Sequence, residues 1–132
     1  MNRKQARETM MQMLFEMETA NEITAEKAEA ICSDRINGKE LARATDILKA
    51  IAVNIENIDS TINEYSKSWK TNRMPKVDLA ILRLAIGEAR YADDVSTAVV
   101  VSEAINLAKK FSTDQSSSFI HGVLGAIFKN EQ

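Results

Sequence analysis

The sequence is poor in the residues that punctuate chains and build reactive sites. Its 132 residues hold one proline, one cysteine, one histidine and four glycines, and 5% of it is aromatic. An all-β or α/β domain needs many more glycines and prolines at its turns, so an all-α fold is expected. Cys32 has no partner for an internal disulfide, which makes a reducing compartment the default. One His and one Cys cannot supply a multi-ligand zinc site, and no glycine-rich loop is present to cradle a phosphate. No Ser/His/acid or Cys/His set is recognisable: His121 follows Ser116 by five residues, but triads are made by geometry rather than proximity. No catalysis, metal or cofactor is therefore expected. No apolar run approaches the roughly 20 residues of a membrane span. The N-terminus, MNRKQARETMMQMLFEME, carries Glu8, Glu16 and Glu18 and lacks a small-residue cleavage site, so it does not read as a signal peptide. A soluble, cytoplasmic protein without a membrane association is the expectation.

What is present is helical patterning. With 45% apolar and 27% charged residues, a chain of this length buries about two-thirds of its unfolded surface, and one domain spanning residues 1–132 is expected. Over residues 3–20, Ala6, Met10, Met13, Leu14 and Met17 recur at the spacing of one helical face, widened by Met11 and Phe15. Thr24 can cap a second helix that runs to about Ile36 on Ala28, Ile31 and Cys32, with Asn37 and Gly38 as its stop. From Leu41, the series Ala44, Leu48, Ile51, Ile55, Ile58, Ile62 and Tyr65 steps by threes and fours and predicts one long third helix. Pro75 fits the first turn of a fourth. Leu79, Ala80, Ile81, Leu82, Leu84, Ala85 and Ile86 cover most of its circumference, placing it at the centre of the fold. Ser96 or Thr97 can cap a fifth helix on Val100, Val101, Ala104, Leu107, Ala108 and Phe111. Residues 112–118 read as a polar loop in which Asp114 or Ser116 caps a sixth helix on Phe119, Ile120, Val123, Leu124, Ile127 and Phe128.

The formal charge of -2 conceals an uneven distribution. Residues 8–34 hold seven carboxylates against Lys27, whereas residues 67–91 hold six cations against Asp78 and Glu88, a local charge of +4. Such asymmetry points to one acidic and one basic face. Arg3 and Arg7 share a helical face, with Lys4 beside them, and can meet a phosphate backbone; an ordinary solvated N-terminus is the alternative. Ser116, Ser117 and Ser118 at a helix start offer free N–H groups to an anion. Phe119 beside them is either a base-stacking ring or core. Arg83 inside an apolar helix emerges at a functional surface or pairs with an acid such as Glu103. The methionines fill core gaps, and Cys32 behaves as a small buried hydrophobe.

Three segments in this order resemble the NusB family. Arg3-Lys4-Gln5-Ala6-Arg7-Glu8 opens the first helix, and Val77-Asp78-Leu79-Ala80-Ile81-Leu82-Arg83-Leu84-Ala85 lies in the fourth. Then Ser102-Glu103-Ala104-Ile105-Asn106-Leu107-Ala108-Lys109-Lys110-Phe111 precedes Ser117-Ser118-Phe119-Ile120-His121-Gly122-Val123-Leu124. The family pattern there is close to NEAVELAKxF…xxFVNGVL. The resemblance implies an all-α fold of two packed three-helix bundles forming one compact domain. It also implies a transcription antitermination factor that binds the boxA element, single-stranded RNA of nascent ribosomal RNA leaders, jointly with NusE, a small-subunit ribosomal protein. The assembly keeps RNA polymerase resistant to termination, and no catalysis is implied.

By that resemblance Arg3, Lys4, Arg7, Arg83, Gln115, Ser116 and Phe119 are the expected RNA contacts, and Phe15 and Asp78 border the NusE surface. The alternatives are core packing for Phe15 and helix-start stabilisation for Asp78. The same fold opens some RNA cytosine methyltransferases; with the chain stopping at Gln132, a stand-alone factor is expected. Gln5 stands where an Arg is common, Gln115 where an acidic residue precedes the Ser, and His121 where Asn is usual. Exchanging a carboxylate for an amide near RNA removes a repulsion. Some members self-associate, so a homodimer hiding the RNA face is carried as an expectation. A rival from another class is a helical interaction module that self-associates through the stripe of the third helix without binding RNA.

Overall fold

The computed structural model describes residues 1–131, and they form seven α-helices and no strand: α1 (Arg3–Thr19), α2 (Ala25–Arg35), α3 (Glu40–Val53), α4 (Ile55–Tyr65), α5 (Lys76–Tyr91), α6 (Thr97–Phe111) and α7 (Asp114–Glu131). The all-α expectation holds, with two corrections to the helices. The long third helix is two helices, because Asn54 interrupts it. Asn54 donates its amide to the Ala50 and Ile51 carbonyls and its side-chain Nδ2 to the Ala50 carbonyl at 2.8 Å. A side chain that takes a backbone carbonyl in this way competes with helix propagation. The last helix also starts earlier than expected. Thr113, rather than Asp114 or Ser116, caps it by accepting the Ser116 amide at 3.0 Å, so the loop shrinks and Ser116 and Ser117 fall inside the first turn.

Other signals act as read. Asn2 and Gln5 form a reciprocal capping box at the start of α1, with the Gln5 amide on Asn2 Oδ1 at 2.8 Å and the Asn2 amide on Gln5 Oε1 at 2.9 Å; this satisfies two otherwise free donors. Gln5 therefore has a structural task that an Arg could not perform. Thr24 caps α2 and Ser96 caps α6. Gly38 takes φ +70 beyond α2, a conformation that suits a residue without Cβ.

Helices α1–α3 pack on one another, α4–α7 form a second group, and α5 touches both, lying against α1, α3, α4, α6 and α7. The expected pair of three-helix groups is thus one of three and one of four. Every residue from Asp78 to Glu88 in α5 is buried. Ile51 of α3 seats on Gly87, where an added Cβ would run into the Ile51 Cδ1 and Cγ1 atoms. Ala44, Leu48, Ile51, Ile58 and Ile62 are 0% exposed within the core. The stripe that the self-association rival needs as a seam is consumed inside the molecule. Cys32 is buried, and burial pushes its thiol up against the opposing hydrogen bond with Thr45. Among the described residues no helix is long and apolar enough to cross a membrane.

Candidate nucleic-acid interface

The cations expected to face RNA divide into two sets. Arg7 projects from α1 into the molecule, where its side chain is 8% exposed and its Nη2 lies 2.8 Å from Glu88 Oε2. Glu88, itself 2% exposed, also accepts from Arg43 Nη2 at 2.8 Å, and Arg43 reaches on to Asp94 at 3.0 Å. Burial works against the Arg43 charge, but hydrogen bonds to Asp94 and Glu88 outweigh it and hold the guanidinium above its ordinary value. Charges removed from water need this multiple pairing. Arg83 shows the same pattern. It is 4% exposed, and its guanidinium grips Asp59 and Glu18, each at 2.7 Å. Its partners are not Glu103, which instead stands 3.9 Å from Arg7. A guanidinium enclosed by two carboxylates has no donor turned to a phosphate, so the placement of Arg83 corrects its expected surface role.

Burial pushes the Glu18 carboxyl up, but the hydrogen bond and charge of Arg83, joined by Lys76, outweigh it and hold the group below its ordinary 4.5. The hydrogen bond from Arg43 holds Asp94 below 3.8, with Arg3 adding to the effect.

The second set is exposed. Lys4 is open to solvent, as is Lys109, and neither has an ion-pair partner among the described residues. Together with Lys110 and Asn106 they line a groove of about 380 Å³ between α1 and α6, with Arg7 at its edge and Glu8 and Glu103 as its acidic members. Lys110 donates to Glu8 at 2.7 Å and rests over the Phe111 ring at 5.3 Å. Arg3, half-exposed, is shared between Glu40 at 3.0 Å and Asp94 at 3.1 Å. Just beyond Lys110 the chain enters α7, where Gln115 is exposed. Ser116 accepts from the Thr113 hydroxyl and is 4% exposed, so it shapes the helix start beneath the surface. Phe119 is half-buried with Trp69 edge-on at 5.4 Å.

Phe15 is exposed and borders a second depression of about 250 Å³ with Met11, Gln12, Val77, Phe111 and Arg35. Asp78 lies beneath the surface at 0% exposure, accepting from Ser112 Oγ at 2.8 Å while its Oδ2 has no hydrogen-bond partner. It fixes the α6–α7 turn against α5 and cannot itself touch a partner in this arrangement. The sequence reading missed Lys109, Lys110 and Asn106. The two lysines close α6, where basic residues also suit the helix dipole, so their position alone did not separate the two roles.

The all-helical scaffold thus presents a lysine-lined groove beside an exposed aromatic depression. Residues 4–129 match the sequence model of the NusB family, and the chain belongs to that family. The transcription antitermination protein NusB of Alkaliphilus oremlandii is 41% identical over 132 residues, covering 99% of this chain and 96% of that protein. NusB of T. maritima superposes with a TM-score of 0.86 at 31% identity, over 98% of this chain and 92% of that one. A NusB solved with NusE and double-stranded RNA gives 0.81 at 27% identity, covering 97% of this chain and 96% of its own.

Proposed function

We propose that this chain is an RNA-binding antitermination factor that, jointly with NusE, binds the boxA element of nascent ribosomal RNA leaders and keeps RNA polymerase resistant to termination. The observation that carries the reading is the row of lysines, Lys4, Lys109 and Lys110, along the α1–α6 groove of a chain whose net charge is -2. Lys4 and Lys109, which have no partner carboxylate among the described residues, can neutralise phosphates and release their condensed counterions, whereas Lys110 is shared with Glu8. Family membership and the solved complex of a related NusB with NusE and double-stranded RNA support the RNA and NusE parts of this reading.

The division of labour follows from burial. Lys4 and Lys109 hold phosphates directly, and Arg3 joins them by exchanging a carboxylate for a phosphate. Arg7 anchors α1 through Glu88 and shapes the groove from below. Gln115 and Phe119 supply an amide and a ring at the α7 start, where unstacked bases can be read. NusE sits on the depression beside Phe15, with Asp78 holding the turn beneath it. The work is done in the cytoplasm, as one domain, and a homodimer through this face would compete with RNA.

Titration of fluorescein-labelled boxA RNA with the chain, alone and with NusE, tests the reading. Binding that prefers boxA over scrambled RNA and tightens with NusE is expected. Equal binding of both RNAs under both conditions would overturn it.

A further inference from the structure

A third groove, of about 360 Å³, separates the α4–α5 connection from α7, and its lining includes Tyr65, Lys67, Ser68, Ser118, Phe119 and Gly122. Three features mark its chemistry. Two aromatic rings line it, and the Phe119 ring is steadied edge-on by Trp69. No carboxylate lines it, unlike the α1–α6 groove with Glu8 and Glu103, and Lys67 is exposed without an ion-pair partner among the described residues. On the α7 side Gly122 leaves the backbone open to the groove: a Cβ built there meets no atom within 4 Å.

The connection that carries Lys67 and Trp69, just beyond Tyr65 at the end of α4, is tied down rather than loose. The Ser66 hydroxyl donates to the Trp69 carbonyl. Lys70 Nζ donates to the Asn63 and Ser66 carbonyls at 2.8 Å each, and the Thr71 amide donates to Asn63 Oδ1 at 2.8 Å. A groove held in shape before binding loses little freedom when it is filled. It also adjoins the α7 start, so an RNA strand passing Gln115 and Phe119 would continue into it.

We infer that the groove between Tyr65, Lys67 and Phe119 is a nucleotide pocket that takes one unstacked base of single-stranded RNA, with Lys67 on the adjoining phosphate. The inference rests on the proposed RNA-binding function and extends it to a surface on the far side of Phe119. Base stacking on aromatic rings tolerates any base, so the pocket contributes affinity more than sequence choice.

Trp69 is the chain's one tryptophan, and its contact with Phe119 makes it a built-in reporter. The test titrates the full chain with unlabelled single-stranded boxA RNA while Trp69 emission is read, with binding followed independently by the anisotropy of labelled RNA. Emission is expected to change along the binding curve. Gly122→Leu, which fills the groove from an exposed helical position, is expected to weaken binding about tenfold with thermal stability kept, and Lys67→Ala about threefold. RNA binding with unchanged Trp69 emission would overturn the pocket and leave the α1–α6 reading standing. So would a change in emission with both variants binding like the parent. Absence of RNA binding, with and without NusE, would overturn both readings.

Discussion

Arg7, Arg43 and Arg83 are held by carboxylates inside the molecule, whereas Lys4, Lys67 and Lys109 stand on its surface without an ion-pair partner among the described residues. Both sets contribute to the basic segments of the sequence. The difference between them follows from side-chain chemistry. A guanidinium offers a planar fork of donors that two carboxylates can enclose, while an ammonium is a compact, strongly hydrated charge best left in water. The arginines therefore pin α1 to α5 and α4 to α5, and the lysines remain free to meet an anion.

The sharpest break in that comparison is Glu88→Ala. It strips Arg7 and Arg43 of their shared buried partner, and the loss of stability expected is about 3–5 kcal/mol, read from urea unfolding. Gly87→Ala tests the same α5 surface without charge. Its methyl displaces Ile51 and is expected to cost about 1–3 kcal/mol by overpacking. An unchanged urea midpoint would show that Ile51 moves aside freely.

Acid should act on the carboxylates that hold the arginines. The folded values of Glu18 and Asp94 lie below their ordinary 4.5 and 3.8. Their contribution to stability is therefore fully present above those values and is lost as pH falls through the folded ones. Replacing Arg83 with Met should flatten the Glu18 part of that acid dependence in urea midpoints measured from neutral pH downward. The smallest effect on the fold belongs to the surface set: Lys4→Ala and Lys109→Ala are expected to stay within about 0.5 kcal/mol of the parent.

The helical plan was legible because periodicity survives without partners. The stops at Asn37 and Gly38 and the caps at Thr24 and Ser96 acted as local signals. Asn54 was not legible, since Ile51, Ile55 and Ile58 carry the apolar stripe across the break and only the side-chain bond to Ala50 reveals it. On residue type alone Thr113 does not stand out from Asp114 and Ser116, which are equally good caps. At the site, the basic character of the first turns of α1 could be read, but not which cation is free. Arg7 meets Glu88 across 81 positions of sequence, a pairing that no local pattern encodes. Arg83 was rightly singled out as anomalous, yet its partners lie on α1 and α4. Lys109 and Lys110 lie at the end of the segment 102–111, and only their seat beside Lys4 distinguishes them from ordinary helix-end charges.

The salt dependence of boxA binding tests the division of cations most directly. With single-stranded RNA, each phosphate contact contributes about 0.7 to the slope of log K against log salt. Lys4→Ala should therefore lower the slope by about that amount, while Arg83→Met, measured where it remains folded, should leave it unchanged. A slope that is unaltered by Lys4→Ala but reduced by Arg83→Met would contradict the account.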